Sequence, residues 1–164
     1  MTDATGLAAR SAAQIGPKGF GGWLVIPILG LIITPPFILY SLFTWFSPLL
    51  DEKIRTDVFS GLSKGQMFLA YELVSSLIML ALAVVCLVRL KRHSRKFPSL
   101  MITFLCVNFA AHLGSAIVTV WYYDSIGMSP PGRAGQGSFG SLLGILIWVP
   151  YFIRSKRVKN TFTA

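Results

Sequence analysis

Long stretches without charge constrain the fold of this chain more than any other feature of its sequence. Residues 23–46 contain no Asp, Glu, Lys or Arg, and residues 67–88 contain a single acid, Glu72. Residues 98–123 and 137–153 also lack these four residue types. A helix needs about 20 apolar residues to cross the hydrocarbon core of a bilayer. The pattern predicts an all-α, polytopic membrane protein with four transmembrane helices, of which the fourth is the shortest.

The charge composition supports this prediction and excludes another class of protein. Charged residues make up 13% of the 164 residues, against about 25% in an average soluble domain. The net charge of +9 is a value also found in proteins that bind nucleic acids. Here the basic residues flank apolar segments, and no soluble segment is long enough to form a phosphate-binding groove. We therefore expect no nucleic-acid partner.

Lys and Arg are distributed unequally between the two ends of the predicted helices. Eleven of the fifteen lie in the two terminal tails and the second loop, and four lie in the first and third loops. Cytoplasmic loops of membrane proteins carry the excess of Lys and Arg. Both termini are therefore predicted to be cytoplasmic. Residues 1–22 would form a flexible tail, residues 23–153 a single transmembrane domain and residues 154–164 a basic tail.

Aromatic and basic residues together mark the cytoplasmic end of the fourth predicted helix. Aromatic side chains often lie at the membrane–water interface, and basic side chains follow on the cytoplasmic side. Each of the basic residues could also bind an anionic lipid headgroup with about 1 kcal/mol. Topology alone accounts for them, since any cytoplasmic tail has this composition. The residues predicted at this interface are Trp148, Tyr151, Arg154, Lys156, Arg157 and Lys159.

The first loop contains a further helical pattern. Leu50, Ile54 and Val58 recur at i, i+4 and i+8, and charged residues occupy the positions between them. This spacing predicts a short amphipathic helix on the outer surface of the membrane.

Polar residues within the predicted spans form the candidate site. Asn108, His112, Ser115 and Thr119 share one face of the third helix. Glu72 lies at a neighbouring depth on the second helix, so that it could face His112. The candidate intramembrane site consists of Glu72, Asn108, His112 and Ser115. Ordinary hydrogen bonds between helices explain such residues more simply than a proton or ion site does.

Two further patterns concern the packing of the helices. The pair Pro35-Pro36 predicts a kink or a short unwinding in the first helix. Small residues spaced four apart let helix backbones approach closely, within one molecule or between subunits. The residues predicted to pack in this way are Ala110, Gly114, Gly137, Gly140, Ser141 and Gly144.

No catalytic or cofactor-binding motif is present in the sequence. It lacks GxSxG, HExxH, a Walker loop and a glycine-rich dinucleotide fingerprint. Its two cysteines show no metal-ligand spacing. We expect a protein that is not an enzyme and that has no catalytic residue, metal ion or cofactor.

Two segments of the sequence resemble a known family. GFGGWLVIPILGLI opens the first span and WVPYFIRSKRVKNTF ends the fourth. Both are similar to the bacterial membrane family known as domain of unknown function 2569, over residues 16–163. The shared residues are Gly21, Gly22, Trp23, Leu24, Trp148, Tyr151, the run SKRVK at 155–159, Thr161 and Phe162. The resemblance implies a small four-span protein of the bacterial inner membrane, and it brings no catalytic residue.

Three functions are compatible with these features. The first is a non-enzymatic protein that associates with itself or serves as an accessory subunit of a membrane complex. The second is a small transporter of ions, solutes or lipids that uses Glu72, Asn108 and His112. The third is the sensing of membrane stress, or envelope maintenance, through the basic cytoplasmic surfaces. The expected partners are the lipid bilayer and its anionic headgroups, a second copy of the chain or another membrane protein.

Overall fold

The computed structural model describes residues 21–50, 64–125, 127–132 and 135–162. Short 3₁₀ helices occupy Gly22–Leu24 and Ser47–Leu50. The α-helices in these ranges are α1 (Val25–Phe46), α2 (Lys64–Lys91), α3 (Phe97–Ser125), α4 (Gln136–Arg154) and α5 (Lys156–Thr161).

Helices α1 to α4 are each long and apolar enough to cross a membrane. Even α4, with 19 residues, extends about 28 Å at 1.5 Å per residue, close to the thickness of the hydrocarbon core. The predicted all-helical protein with four candidate membrane spans is confirmed. The predicted N-terminal tail, residues 1–22, lies outside the described residues except for Gly21 and Gly22. The predicted amphipathic helix with Leu50, Ile54 and Val58 also lies outside them except for Leu50.

Helix α1 continues as an α-helix through Pro35 and Pro36. The predicted short unwinding is therefore wrong, since the prolines remove two backbone hydrogen bonds without ending the helix. Neither proline nitrogen carries a hydrogen. The carbonyl groups of Leu31 and Ile32 lose their usual donors four residues later.

The helices pack in chain order. Within the described residues, the extensive contacts between long helices join α1 to α2, α2 to α3 and α3 to α4. Helix α2 consequently lies between α1 and α3. This arrangement leaves α1 without a broad contact to α3, a feature that shapes the site described below.

The hydrophobic core is concentrated at one end of the helices. Phe97, the first residue of α3, is fully buried there. Its ring centroid lies 4.6 Å from that of Phe162 and 6.3 Å from that of Phe152. Other buried side chains at this end come from the start of α1 and the end of α2, and include Leu24 and Cys86. The distribution of Lys and Arg predicts that this end lies on the cytoplasmic side.

The C-terminal segment folds back onto this core as helix α5. The Ser155 hydroxyl accepts a hydrogen bond from the backbone nitrogen of Val158 at the start of the helix, as a typical N-cap does. Val158 and Phe162 are only 1% and 4% exposed. The predicted basic tail is thus, over the described residues, a packed helix that keeps Lys156 and Lys159 on its exposed side.

Helix α5 also brings Arg157 against the glycines that precede α1. A Cβ atom added at Gly21 or Gly22 would lie 3.0 or 2.9 Å from a guanidinium nitrogen of Arg157. Gly22 also has a positive φ of 66°, which residues with a side chain adopt at a cost. The opening glycines and the basic run that ends the chain are therefore neighbours in space.

We predict that Gly22→Ala destabilises the protein, while Gly30→Ala does not. Alanine in the left-handed conformation costs about 1–2 kcal/mol, and its Cβ would displace Arg157. Gly30 lies inside α1 with nothing within 4 Å of an added Cβ, so alanine there should be neutral or stabilising by about 0.5–1 kcal/mol. Thermal unfolding in mild detergent measures both effects. Equal midpoints for the two variants would contradict this account.

Candidate functional site

A half-open cleft of about 480 Å³ lies between α1, α2 and α3. One face of α1 forms the first wall, through side chains that include Ile33, Thr34, Phe37 and Ser41. The spacing of three and four residues places these positions on the same side of the helix. Helix α2 lines the middle of the cleft, and α3 forms the second wall. The cleft exists because α1 and α3 both pack on α2 and not broadly on each other.

All four residues of the predicted polar site line this cleft. Glu72 comes from α2, and Asn108, His112 and Ser115 come from one face of α3. Thr119, one turn further along that face, lines a separate pocket of about 250 Å³ together with Phe68 and Tyr122. The structure thus brings the four candidate residues together.

Glu72 is held by Ser115. The Ser115 hydroxyl donates a hydrogen bond of 2.5 Å to Oε1 of Glu72. Glu72 lies eight residues after the first residue of α2, about 12 Å along the helix axis. The sequence suggested His112 as the residue facing Glu72. Both line the cleft, but the hydrogen bond comes from Ser115, one turn away on the same helix.

Asn108 and His112 contribute an amide and an imidazole to the cleft. Neither side chain forms a hydrogen bond with any residue in the described part of the chain. Helix α4 begins directly beside His112, since a Cβ added at Gly137 would lie 2.7 Å from its Nδ1 atom. These two side chains offer hydrogen-bond donors and acceptors that no described residue uses.

A second contact between α2 and α3 reinforces the site. The Tyr71 hydroxyl donates a hydrogen bond of 2.9 Å to the backbone carbonyl of Ala111. Gly114 makes room for the Tyr71 ring, because an added Cβ would overlap the hydroxyl group. The two hydrogen bonds, from Tyr71 and from Ser115, fix the register of the two helices beside the cleft.

The four glycines among the predicted packing residues divide into two pairs. Gly114 and Gly137 are used inside the molecule, against Tyr71 and His112. A Cβ added at Gly140 or Gly144 would meet nothing within 4 Å. The remaining two are Ala110, which is exposed, and Ser141, whose hydroxyl donates to the carbonyl of Gly137 at 2.8 Å.

The predicted interface residues cluster at the opposite end from the cleft. Trp148 and Tyr151 form a T-shaped ring contact with centroids 5.8 Å apart, and both pack on the hydrophobic core. Arg154, Lys156 and Lys159 are exposed, and Arg157 is half-buried above the glycines before α1.

The polar lining extends beyond the residues that sequence reasoning identified. Thr34 and Ser41 on α1, and Ser75 and Ser76 on α2, also line the cleft. The two α2 serines follow Glu72 by three and four residues and therefore share its helix face. On α1, the seven-residue spacing of Thr34 and Ser41 likewise places both residues on one helix face. These two spacings are the sequence patterns from which the additional lining residues could have been predicted.

Comparison with known proteins identifies the family of the chain. A family model described as "Protein of unknown function (DUF2569)" matches residues 17–163. The chain belongs to this family. The matched region of the DUF2569 family contains every transmembrane helix described above, the cleft and helix α5. No curated protein and no solved structure matches the chain.

The arrangement of the cleft suits binding better than metal coordination. Within the described ranges, no three His, Cys, Asp or Glu side chains lie close enough together to hold a metal ion. The lining instead combines one carboxylate, an imidazole, an amide and several hydroxyls with apolar walls. Such a surface can orient a small molecule through a few polar contacts while apolar groups enclose the rest of it.

Proposed function

We propose that the protein is a non-enzymatic, membrane-embedded binding protein that takes a small molecule into the cleft and handles it within the membrane. The observation that supports this proposal is the convergence of Glu72, Asn108, His112 and Ser115 on one cavity of about 480 Å³. Small-molecule sites usually have volumes of about 300–1,000 Å³ and a few polar groups on mainly apolar walls.

The alternative that these residues only hold helices together accounts for part of the site. Tyr71 and the Glu72–Ser115 pair do link α2 to α3. Asn108 and His112 form no hydrogen bond among the described residues. Polar side chains in a membrane are costly without a partner, so a bound molecule gives these two residues a role that helix packing does not.

Filling the cleft tests this function directly. Ser76→Phe places an aromatic ring inside the cleft, whereas Ala81→Phe places the same ring on an exposed face of α2. Native mass spectrometry of protein extracted gently from its own membrane should show a bound small molecule on the wild type and on Ala81→Phe. That molecule should be lost from Ser76→Phe, because the ring takes its volume.

A wild type that carries no small molecule, even after incubation with extracts of its membrane, would contradict the proposal. A bound molecule that remains unchanged in Ser76→Phe would also contradict the proposal. Thermal unfolding of both phenylalanine variants serves as the control for correct folding.

We further propose that the protein lies in the bacterial inner membrane with both termini in the cytoplasm. The end that contains Phe97 and α5 supports this orientation, since its described residues include nine Lys and Arg and no acid. A fluorescent reporter that folds only in the cytoplasm should be active when fused after residue 164. Activity only from a reporter that requires export would reverse the orientation.

Self-association is a second candidate function, favoured by the free glycine pair on α4. Gly140 and Gly144 lie one turn apart with nothing within 4 Å of an added Cβ. Glycines at this spacing allow two membrane helices to pack closely. We propose that the helix packed there belongs to a second copy of the chain.

Leucine at both glycines should therefore separate the copies. We expect a dimer for the wild type and a monomer for the Gly140→Leu/Gly144→Leu variant, counted by single-molecule photobleaching in nanodiscs. Ala81→Leu, on the exposed face of α2, is the matched control and should remain dimeric. A monomeric wild type, or a dimeric double variant, would argue against this role.

A further inference from the structure

We infer that the ligand of the cleft is a cationic amphiphile, with an ammonium group near Glu72 and an apolar tail that extends towards the lipid. This inference rests on the proposed binding function and names the chemical class of the molecule bound. It follows from the charge of the cleft, the side on which the cleft is open and the composition of its walls.

The charge of the cleft favours a cation. Glu72 is its only acidic residue, and its lining contains no Lys or Arg. The Ser115 hydroxyl reaches Oε1 of Glu72, but a hydroxyl group carries no compensating charge. His112 lines the same cleft and carries a positive charge only when its imidazole is protonated. A carboxylate within a membrane needs a counter-charge nearby. An ammonium group of the ligand would supply that charge and form the stronger, charge-assisted type of hydrogen bond.

The same composition argues against a phosphate or sulfate headgroup. Anionic oxygens would enter a cleft that offers no cationic Lys or Arg and would lie near the carboxylate of Glu72. Repulsion between like charges is strong where water is scarce. A phospholipid headgroup therefore fits the cleft less well than a simple amine or quaternary ammonium group.

The side on which the cleft opens indicates an approach from the bilayer. Its two walls are transmembrane helices, α1 and α3, and both pack on α2. The side away from α2 is therefore a lateral gap between two membrane-spanning helices. At the α5 end, the core around Leu24, Met101 and Phe152 closes the structure. A molecule dissolved in the outer half of the bilayer can reach Glu72 without crossing that core.

The α1 wall suits an apolar tail. Ile33 and Phe37 line the cleft and are still 60% and 64% exposed. They lie on the wall that borders the lateral gap, so they can cover a chain that leaves the cleft for the lipid. Two polar residues line the same wall. Thr34 lies between Ile33 and Phe37 in the sequence, and Ser41 lies one turn after Phe37. The cleft thus combines a charged interior with an apolar exit.

Binding of defined probes tests this ligand class. The full-length protein is placed in phosphatidylcholine nanodiscs, and saturable binding of radiolabelled dodecyltrimethylammonium is measured above that of empty nanodiscs. Glu72→Gln keeps the shape of the side chain and removes its charge. Asp124→Asn removes an exposed carboxylate near the end of α3, outside the cleft, and is the matched control.

We expect saturable binding to the wild type and to Asp124→Asn, and binding that is about tenfold weaker or more in Glu72→Gln, as for loss of a hydrogen bond to a charged group. Unlabelled dodecyltrimethylammonium should displace the probe, and dodecyl sulfate should not. Tetramethylammonium, which has the same headgroup and no tail, should compete poorly if the ligand enters from the lipid.

Unchanged affinity in Glu72→Gln would overturn the assignment of a cation, as would equal competition by dodecyl sulfate. Tetramethylammonium that competes as well as the long-chain probe would overturn entry from the bilayer. If dodecyltrimethylammonium does not bind, while native mass spectrometry still shows a molecule that Ser76→Phe excludes, the ligand class is wrong and the binding function stands. If neither experiment detects a ligand, both proposals fail.

Discussion

Every polar group inside a bilayer must find a partner, and this requirement organises the region around the cleft. Glu72 accepts a hydrogen bond from Ser115, although this bond brings no compensating charge, and Tyr71 donates a hydrogen bond to the carbonyl of Ala111. Both hydrogen bonds join α2 to α3. Together they fix how the two helices are rotated and how far each is displaced along its axis. The positions of Asn108 and His112 in the cleft follow from that register, because both share one face of α3 with Ser115.

The side chains between the helices differ in size between the α5 end and the region beside the cleft. At the α5 end, the large rings of Phe97, Phe152 and Phe162 fill the space between helices. Beside the cleft, α2 and α3 present small side chains, among them Ser76 and Ala111. Protein interiors are close-packed, so small residues between helices must be matched by closer approach or leave a void. Here α1 does not approach α3, and the void is the cleft.

The sequence was sufficient to predict the four long apolar helices and a part of the polar lining of the cleft. It did not identify Thr34, Ser41, Ser75 or Ser76, which also line the cleft. Charge-free length predicted the four helices, and the spacing of Asn108, His112 and Ser115 predicted their common face. The same reasoning could not identify the hydrogen-bond donor to Glu72. Ser115 and His112 differ by three residues, which is about 60° around a helix. Only the rotation of α3 against α2, set by tertiary packing, selects between them.

The C-terminal segment illustrates a different limit of sequence reasoning. Its four basic residues predicted a tail at the membrane surface. Val158 and Phe162, spaced four apart, carried the signal for an amphipathic helix that packs on the core. Nothing in the local sequence reveals that Arg157 would meet Gly21 and Gly22, since that contact joins the two extremes of the transmembrane domain.

The position of the prolines in α1 connects the packed end with the cleft. Leu24 and Leu31, the fully buried side chains of this part of the chain, precede Pro35 and Pro36. The wall of the cleft spans the two prolines, since Ile33 and Thr34 precede them and Phe37 and Ser41 follow them. Two backbone hydrogen bonds are already missing within this wall, so bending there costs less than bending elsewhere along the helix. The core anchors the start of α1, so a bend at the prolines would move the part of the wall that follows them.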